Sequence, residues 1–369
     1  METLYPKLIL DALTNVRYPG NGKNIVELDM VEDDIRIEGN KVSFSLIFDK
    51  PTDPFAKSLV KAAEAAIATY ISPEVDIKGN ISVKFRQAAG VPVEESPLPG
   101  VKNIIGVSSG KGGVGKSTVA SNLAVALARK GYRVGLLDAD IFGPSVPKMF
   151  GVEDEPIYME NVGGQDRIVP IERYGVKVLS IGFLVDKESP VLWRGAMASR
   201  ALNQLITQAS WGELDYFLID MPPGTSDIHL SLVQTLPITG VVIVSTPQQV
   251  ALADARKGIA MFTDEKVNVP VLGIVENMAW FTPEAHPAER YYIFGRNGAV
   301  ELAEKLKVEL LTQIPMVGSI CEGGDNGSPI ALADSMTGIA FMDLADAVDK
   351  AVAKRNSELP PTEKVQTHQ

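Results

Sequence analysis

Gly110-Lys111-Gly112-Gly113-Val114-Gly115-Lys116-Ser117 sets a glycine, four residues and then Gly-Lys-Ser in one short run. That spacing suits a polyphosphate. Glycines let the backbone curl so that successive N–H groups, and the start of a following helix, face an anion. Lys116 adds a point charge for the β and γ phosphates, and the Ser117 hydroxyl is a candidate ligand for Mg²⁺. The candidate nucleotide contacts are therefore Gly110, Lys111, Gly112, Gly113, Val114, Gly115, Lys116, Ser117 and Thr118. The run follows an apolar strand, Ile104-Ile105-Gly106-Val107, and opens a helix over Ser117–Arg129. A bare glycine turn would need neither.

Three acids stand at the ends of other apolar runs. Asp138 and Asp140 follow Leu136-Leu137, and Asp220 follows Phe217-Leu218-Ile219. Ligands of open parallel sheets gather at the carboxyl ends of strands, so these acids are expected to face the phosphate loop. Asp220 has the Walker B position, holding Mg²⁺ through water. A helix cap is the competing reading for an aspartate at a strand end, and it weighs more for Asp138 and Asp140 than for Asp220.

A sheet must position these groups. From residue 101 the expected strands are 104–108, 134–138, 176–181, 216–220, 241–245, 271–276 and 309–314, alternating with helices. Apolar β-branched runs flanked by helices indicate an α/β fold, a mainly parallel sheet covered on both faces. A hairpin insertion is expected within 151–170, around Gly163-Gly164. Residues 1–86 read helix, strand, strand, helix, strand, a small α+β domain. Its second helix starts at Asp53-Pro54 and spaces Phe55, Leu59, Ala63, Ile67 and Tyr70 along one face. Residues 87–100 carry three prolines and two glycines without apolar periodicity, a linker. The ATPase domain is expected over 101–354, and 355–369 reads as a polar, disordered tail.

Composition bounds the partners. The chain has 369 residues, of which 45% are hydrophobic, enough for two cored domains. No apolar run reaches the roughly 18–20 residues needed to cross a bilayer. The N-terminus lacks the basic start and apolar stretch of a secretory signal, so a cytoplasmic protein with no membrane partner is expected. A net charge of −11 and a pI near 4.9 argue against nucleic acid as a partner. One cysteine, Cys321, excludes an intrachain disulfide.

Lys111, directly after the first glycine of the loop, makes the run Lys-Gly-Gly-Val-Gly-Lys-Ser. This resembles the deviant Walker A class of MinD, ParA, nitrogenase iron protein and the Mrp-type iron–sulfur cluster carriers. The runs Leu137 to Pro147, Asp220 to Asp227, Trp193-Arg194-Gly195 and Ile293-Phe294-Gly295 are similar to the Mrp family specifically. Residues 1–86 resemble the small iron–sulfur assembly domain often fused to it. The resemblance implies a P-loop NTPase fold and slow, Mg-dependent ATP hydrolysis in a homodimer with ATP at the interface. It also implies transfer of iron–sulfur clusters to apoprotein clients.

The resemblance assigns roles as well. Lys111 reaches the phosphates of the facing subunit and joins Lys116 and Asp140 as a catalytic group. Asp140 orients the attacking water. Ser117, Asp138 and Asp220 serve the metal, Met221 to Thr225 form a γ-phosphate sensor, and Asn277 contacts adenine beside Ile314 to Val317. One departure stands out. The family carries Cys-x-x-Cys shortly after its Glu-Asn-Met segment, whereas Glu276-Asn277-Met278 is followed here by Ala-Trp-Phe-Thr-Pro-Glu-Ala-His286. The cluster's ligands are thus unassigned. A positioning ATPase of the MinD or ParA type is the alternative, but the C-terminal segment lacks an amphipathic membrane helix and the acidic pI disfavours a DNA face. A nitrogenase-like reductase would need two ligating cysteines per subunit.

Overall fold

The computed structural model describes residues 4–365 except 20–21, 33, 49–52, 54, 86–95, 142, 185–194, 284 and 287. Most of the proline-rich stretch, Phe142 and Trp193-Arg194 therefore lie outside the described residues. The chain divides into two compact units, Met1–Glu94 and Glu95–Gln369.

The first unit contains α1 (Pro6–Leu13), β1 (Arg36–Glu38), β2 (Lys41–Phe48), α2 (Ala56–Tyr70) and β3 (Ile81–Phe85). Its sheet runs β1-β2-β3, antiparallel then parallel. Alternate residues of β2, Val42, Phe44, Leu46 and Phe48, are buried against Leu59, Ala63 and Ile67 of α2 and Ile9 and Leu13 of α1. The apolar face of α2 ends at Ile67. Tyr70, expected to extend it, is 60% exposed, and Ala66 fills the stripe instead.

The second unit is built on an eight-stranded sheet. In chain order its elements are β4 (Val101–Ser109), α3 (Lys116–Arg129), β5 (Val134–Asp138), α4 (Val146–Phe150), β6 (Tyr158–Val162) and β7 (Gln165–Val169). Next come β8 (Ile171–Arg173), β9 (Val176–Ser180), α5 (Gly195–Thr207), β10 (Leu214–Asp220), α6 (Asp227–Thr235) and β11 (Gly240–Ser245). The chain continues through α7 (Gln249–Thr263), β12 (Val271–Glu276), α8 (Gly298–Leu306), β13 (Leu310–Gln313), α9 (Gly318–Asp325) and α10 (Met336–Glu358). The sheet order is β13-β12-β11-β4-β10-β5-β9-β8, with β6 and β7 pairing apart as a hairpin. Every neighbouring pair in it is parallel except β8 with β9.

Alternation along each strand splits the core in two. Ile104, Phe217, Ile219, Val241 and Ile243 pack with α5, α6, α7 and α8, while Ile105, Val107, Leu218, Val242 and Val244 pack with α3 and α10. Both faces are apolar, so the strands read as continuous hydrophobic runs. α3 is enclosed from Val119 to Leu127, which fixes the phosphate loop at its amino end. Registry does the rest. Asp220 sits opposite both Val107 and Asp138, so β4, β10 and β5 end on one rim.

The expected tail departs from its composition. α10 continues to Glu358, Arg355 Nη2 donates to Pro360 O at 2.8 Å, and the Val365 amide donates to Val233 O at 3.2 Å. Val365 packs against the core, and these tertiary contacts hold a segment that its polar residues alone would leave free.

Candidate nucleotide site

The loop between β4 and α3 needs its glycines for two separate reasons. Gly113 and Gly115 have φ of +80° and +82°, the left-handed region that L side chains avoid. A Cβ on Gly110 would lie 2.1 Å from the Asp254 backbone carbon, and one on Gly115 would lie 2.2 Å from Asn277 Nδ2. Gly112 and Gly113, in contrast, face open space. The loop is thus pressed against α7 and Asn277 on one side and open on the other. That is the shape of an anion cradle at a helix N-terminus.

Lys116 is 5% exposed. Its Nζ lies 2.5 Å from Asp220 Oδ1, 3.2 Å from Ser117 Oγ and 3.5 Å from Asp140 Oδ2. Complete burial pushes the Asp220 carboxyl up, and the Lys116 ammonium beside it pulls the other way. Two buried acceptors, Asp220 Oδ2 and Asp140 Oδ1, have no hydrogen-bond partner among the described residues. A buried acceptor left bare costs about 1–3 kcal/mol. A hydrated Mg²⁺ beside Ser117 would satisfy such oxygens, so the donor set fits that ion.

Asp138 differs. Its Oδ1 accepts from the Asp140 amide at 3.1 Å, and its Oδ2 accepts from the Val146 amide at 3.2 Å and the Ser180 hydroxyl at 2.9 Å. Burial, then repulsion from Asp220, pushes its pKa up. Both oxygens are engaged by protein donors, and the residue shapes the loop that carries Asp140.

The segment after β10 is tied to the same rim. Met221 N donates to Val107 O at 3.0 Å, and Gly224 N donates to Ser109 O at 2.8 Å. α6 then opens with a reciprocal cap between Ser226 and His229, whose Nδ1 accepts from the Ser226 amide at 3.1 Å. His229 is fully buried, and burial lowers its pKa, so it sits neutral beneath the loop. Sequence reading passed it over, although Ser-x-x-His has capping-box spacing.

Asn277 has a clear local task. Its Nδ2 donates to Val114 O at 2.8 Å and its amide donates to Ser245 O at 2.8 Å, so it clamps the phosphate loop to the end of β12. Glu276 beside it is fully buried; it accepts from the Ala299 amide at 2.7 Å and from Gln313 Nε2. It thereby caps α8 and ties in β13. An acid closing an apolar strand was the signal for this residue.

Two clefts meet at this clamp. One, of about 220 Å³, is lined by Lys111, Gly112, Gly113, Lys116, Asp140 and Pro223. The other, of about 340 Å³, has an apolar lining that includes Met278, Pro315, Met316, Val317 and Ile320, with Cys321 at its edge. They share Gly115, Thr118, Ser145 and Met149. A polar, cationic cradle opening into an apolar slot suits a nucleotide, phosphates in one and a flat base in the other. Lys111 is half-buried in the cradle wall, and among the described residues its ammonium makes no ion pair. The structure therefore brings Gly110 to Thr118, Asp140, Asp220 and Asn277 together. His286, by contrast, lies in the loop beyond Phe281, with Nδ1 at 3.8 Å from Glu289 Oε1.

Comparison with known proteins agrees with this geometry. Residues 100–349 match the family model described as NUBPL iron-transfer P-loop NTPase, and residues 7–78 match that of an iron–sulfur cluster assembly protein. An iron–sulfur cluster carrier protein of Synechocystis sp. is 44% identical over 326 residues, 88% of this chain and 91% of that protein. The Arabidopsis thaliana mitochondrial iron–sulfur protein required for NADH dehydrogenase is 48% identical over 76% of this chain and 88% of that protein. A solved nucleotide-binding protein from Archaeoglobus fulgidus, in complex with ADP, superposes with a TM-score of 0.55 at 40% identity. It covers 64% of this chain and 91% of its own. With a nucleotide-shaped rim and relatives matching along most of its length, this chain belongs to the family of NUBPL/Mrp-type iron-transfer P-loop NTPases.

Proposed function

We propose that this chain is an ATP-switched carrier that hands iron–sulfur clusters to apoproteins. The carrying observation is the rim itself: Lys116 pinned between Asp220 and Asp140 at an open glycine cradle, on a chain whose relatives are named as cluster carriers.

The phosphates of ATP lie against the amides of Gly112 to Ser117, with Lys116 turning from Asp220 to the β and γ oxygens. Ser117 and Asp220 would hold Mg²⁺, and the bound ion would supply positive charge against the transferred phosphoryl group. Asp140 accepts a hydrogen bond from the attacking water. The water oxygen bonds to the γ phosphorus as the bond to the bridging oxygen breaks, giving ADP and phosphate. Lys111 lies free for the phosphates of a second copy, so turnover proceeds in a homodimer. The segment from Met221 to Thr225, tied to β4 through Gly224, reads the γ-phosphate and passes the change to α6.

The cluster is cargo. An all-cysteine [4Fe–4S] centre takes four thiolates, while two copies of the chain bring two, both Cys321. We infer that the cluster is held weakly, through mixed or borrowed ligands. No described helix is long and apolar enough to cross a membrane, and we place the reaction in the cytoplasm. The test is anaerobic transfer from reconstituted protein to an apo-ferredoxin, followed by absorbance with and without Mg·ATP. Transfer faster than from free iron and sulfide, and altered by ATP, is expected. A rate no better than the free ions would end the carrier reading.

A further inference from the structure

A second cavity lies at the opposite end of the sheet from the nucleotide rim. It encloses about 320 Å³ between the starts of β4 and β11 and the end of α10, at the small end of the range for small-molecule sites, which begins at about 300 Å³. Arg355 lines it. Its Nη1 donates to Asn356 Oδ1 at 3.1 Å and its Nη2 to Pro360 O at 2.8 Å, while the buried Nε has no partner. Among the described residues no carboxylate pairs with this guanidinium, and no Asp or Glu lines the cavity. Arg355 is half-buried, and that burial draws its pKa down.

Two hydroxyls on the wall offer protons. Thr239 is 6% exposed, and its Oγ1 accepts from the Ile104 amide at 3.0 Å, which leaves its O–H to donate. Ser96 Oγ accepts from the Leu98 amide at 3.3 Å and is likewise left with its O–H. Val101, Pro237 and Leu359 supply apolar wall. Lys102, also on the wall, already pairs with Asp215 at 2.9 Å.

We propose that this cavity is a binding site for a small organic carboxylate, its head on Arg355 and the Thr239 and Ser96 hydroxyls and its body against Val101, Pro237 and Leu359. A guanidinium offers a planar fork of donors matched to a carboxylate. The half-apolar wall favours an organic acid over inorganic phosphate, whose remaining oxygens would go unpaired. The site is separate from the ATP site and does not rest on the carrier reading.

The test uses the full chain with saturating Mg·ADP, so that the phosphate loop is closed to the probes. Isobutyrate, its neutral isostere isobutyramide, and inorganic phosphate are titrated by calorimetry in an otherwise anion-poor buffer. A charge-assisted hydrogen bond is worth about tenfold in affinity or more, so isobutyrate should bind saturably and isobutyramide about tenfold weaker. Arg355→Gln should lose the isobutyrate signal, and Arg355→Lys should retain part of it. Acid and amide binding alike, unchanged binding in Arg355→Gln, or no saturable signal would each overturn the proposal. Tightest binding by phosphate would overturn its carboxylate specificity. The amide comparison needs no mutation, so a variant that fails to fold leaves the proposal testable.

Discussion

The two segments that flank Met278 make a contrast. Before it, the rim gathers buried charge: Lys116, Asp138, Asp140 and Asp220 lie at or below 8% exposure and are joined by polar contacts, Asp138 through the Asp140 amide. After it, the described residues between Ala279 and Arg296 are joined by backbone pairing and aromatic rings. Phe281 and Tyr291 exchange amide bonds at 2.8 and 2.9 Å, Arg290 lies 4.2 Å over the Trp280 ring, and Arg296 lies 4.8 Å over Tyr292. Tyr291 and Ile293 are exposed, and no thiol is present. The sequence already showed that the cysteine pair of the resembled family is missing from this stretch. The rim residues are thus gathered in one place, while the stretch after Met278 holds no thiol and carries two cation–π contacts. The two are in register, since Ala279 N donates to Ile314 O and Met316 N to Trp280 O beside the base slot.

The largest effect should come from the rim. Lys116→Ala removes the charge shared by the phosphates, Asp220 and Asp140, and calorimetry should show ATP binding lost. Retained micromolar binding would mean that the loop amides suffice alone. Next is Lys111→Ala, which should keep binding but lower turnover by on the order of 10³. Normal hydrolysis in that variant would refute the trans role, as would activity per chain that stays constant on dilution.

Asn277→Ala is a smaller perturbation. It strips the Val114 carbonyl of its partner, costing about 1–3 kcal/mol locally, and should weaken ATP binding without abolishing it. An unchanged affinity would show that the clamp is dispensable. Smallest of all is His286→Ala, in the loop. Its side chain is 64% exposed, and the iron content of reconstituted protein should not change. A loss of iron would reopen that loop as a ligand site.

Much of this was legible in the sequence because the informative groups act locally. The cradle is one continuous run, and each strand that feeds the rim closes on an acid or a glycine loop, so its end was visible. What was not legible is tertiary. Asp138 accepts from the Ser180 hydroxyl, 42 residues on, as well as from the nearby Val146 amide, and the first of these contacts is invisible in the local sequence. Asn277 reaches Val114 across the loop, a contact no spacing reveals. The C-terminal residues read as polar tail, yet Val365 is held by Val233. Tyr70 matched the helical period, but α2 ends there, past the layer it covers.

The central proposal, an ATP switch without a four-cysteine cluster site, is tested most directly by Mössbauer spectroscopy. The protein would be reconstituted with iron and sulfide under argon in the presence of Mg·ATP, alongside Cys321→Ser. The account predicts substoichiometric iron, or a spectrum with non-thiolate ligation. A stoichiometric, all-thiolate [4Fe–4S] centre in the purified homodimer would contradict it.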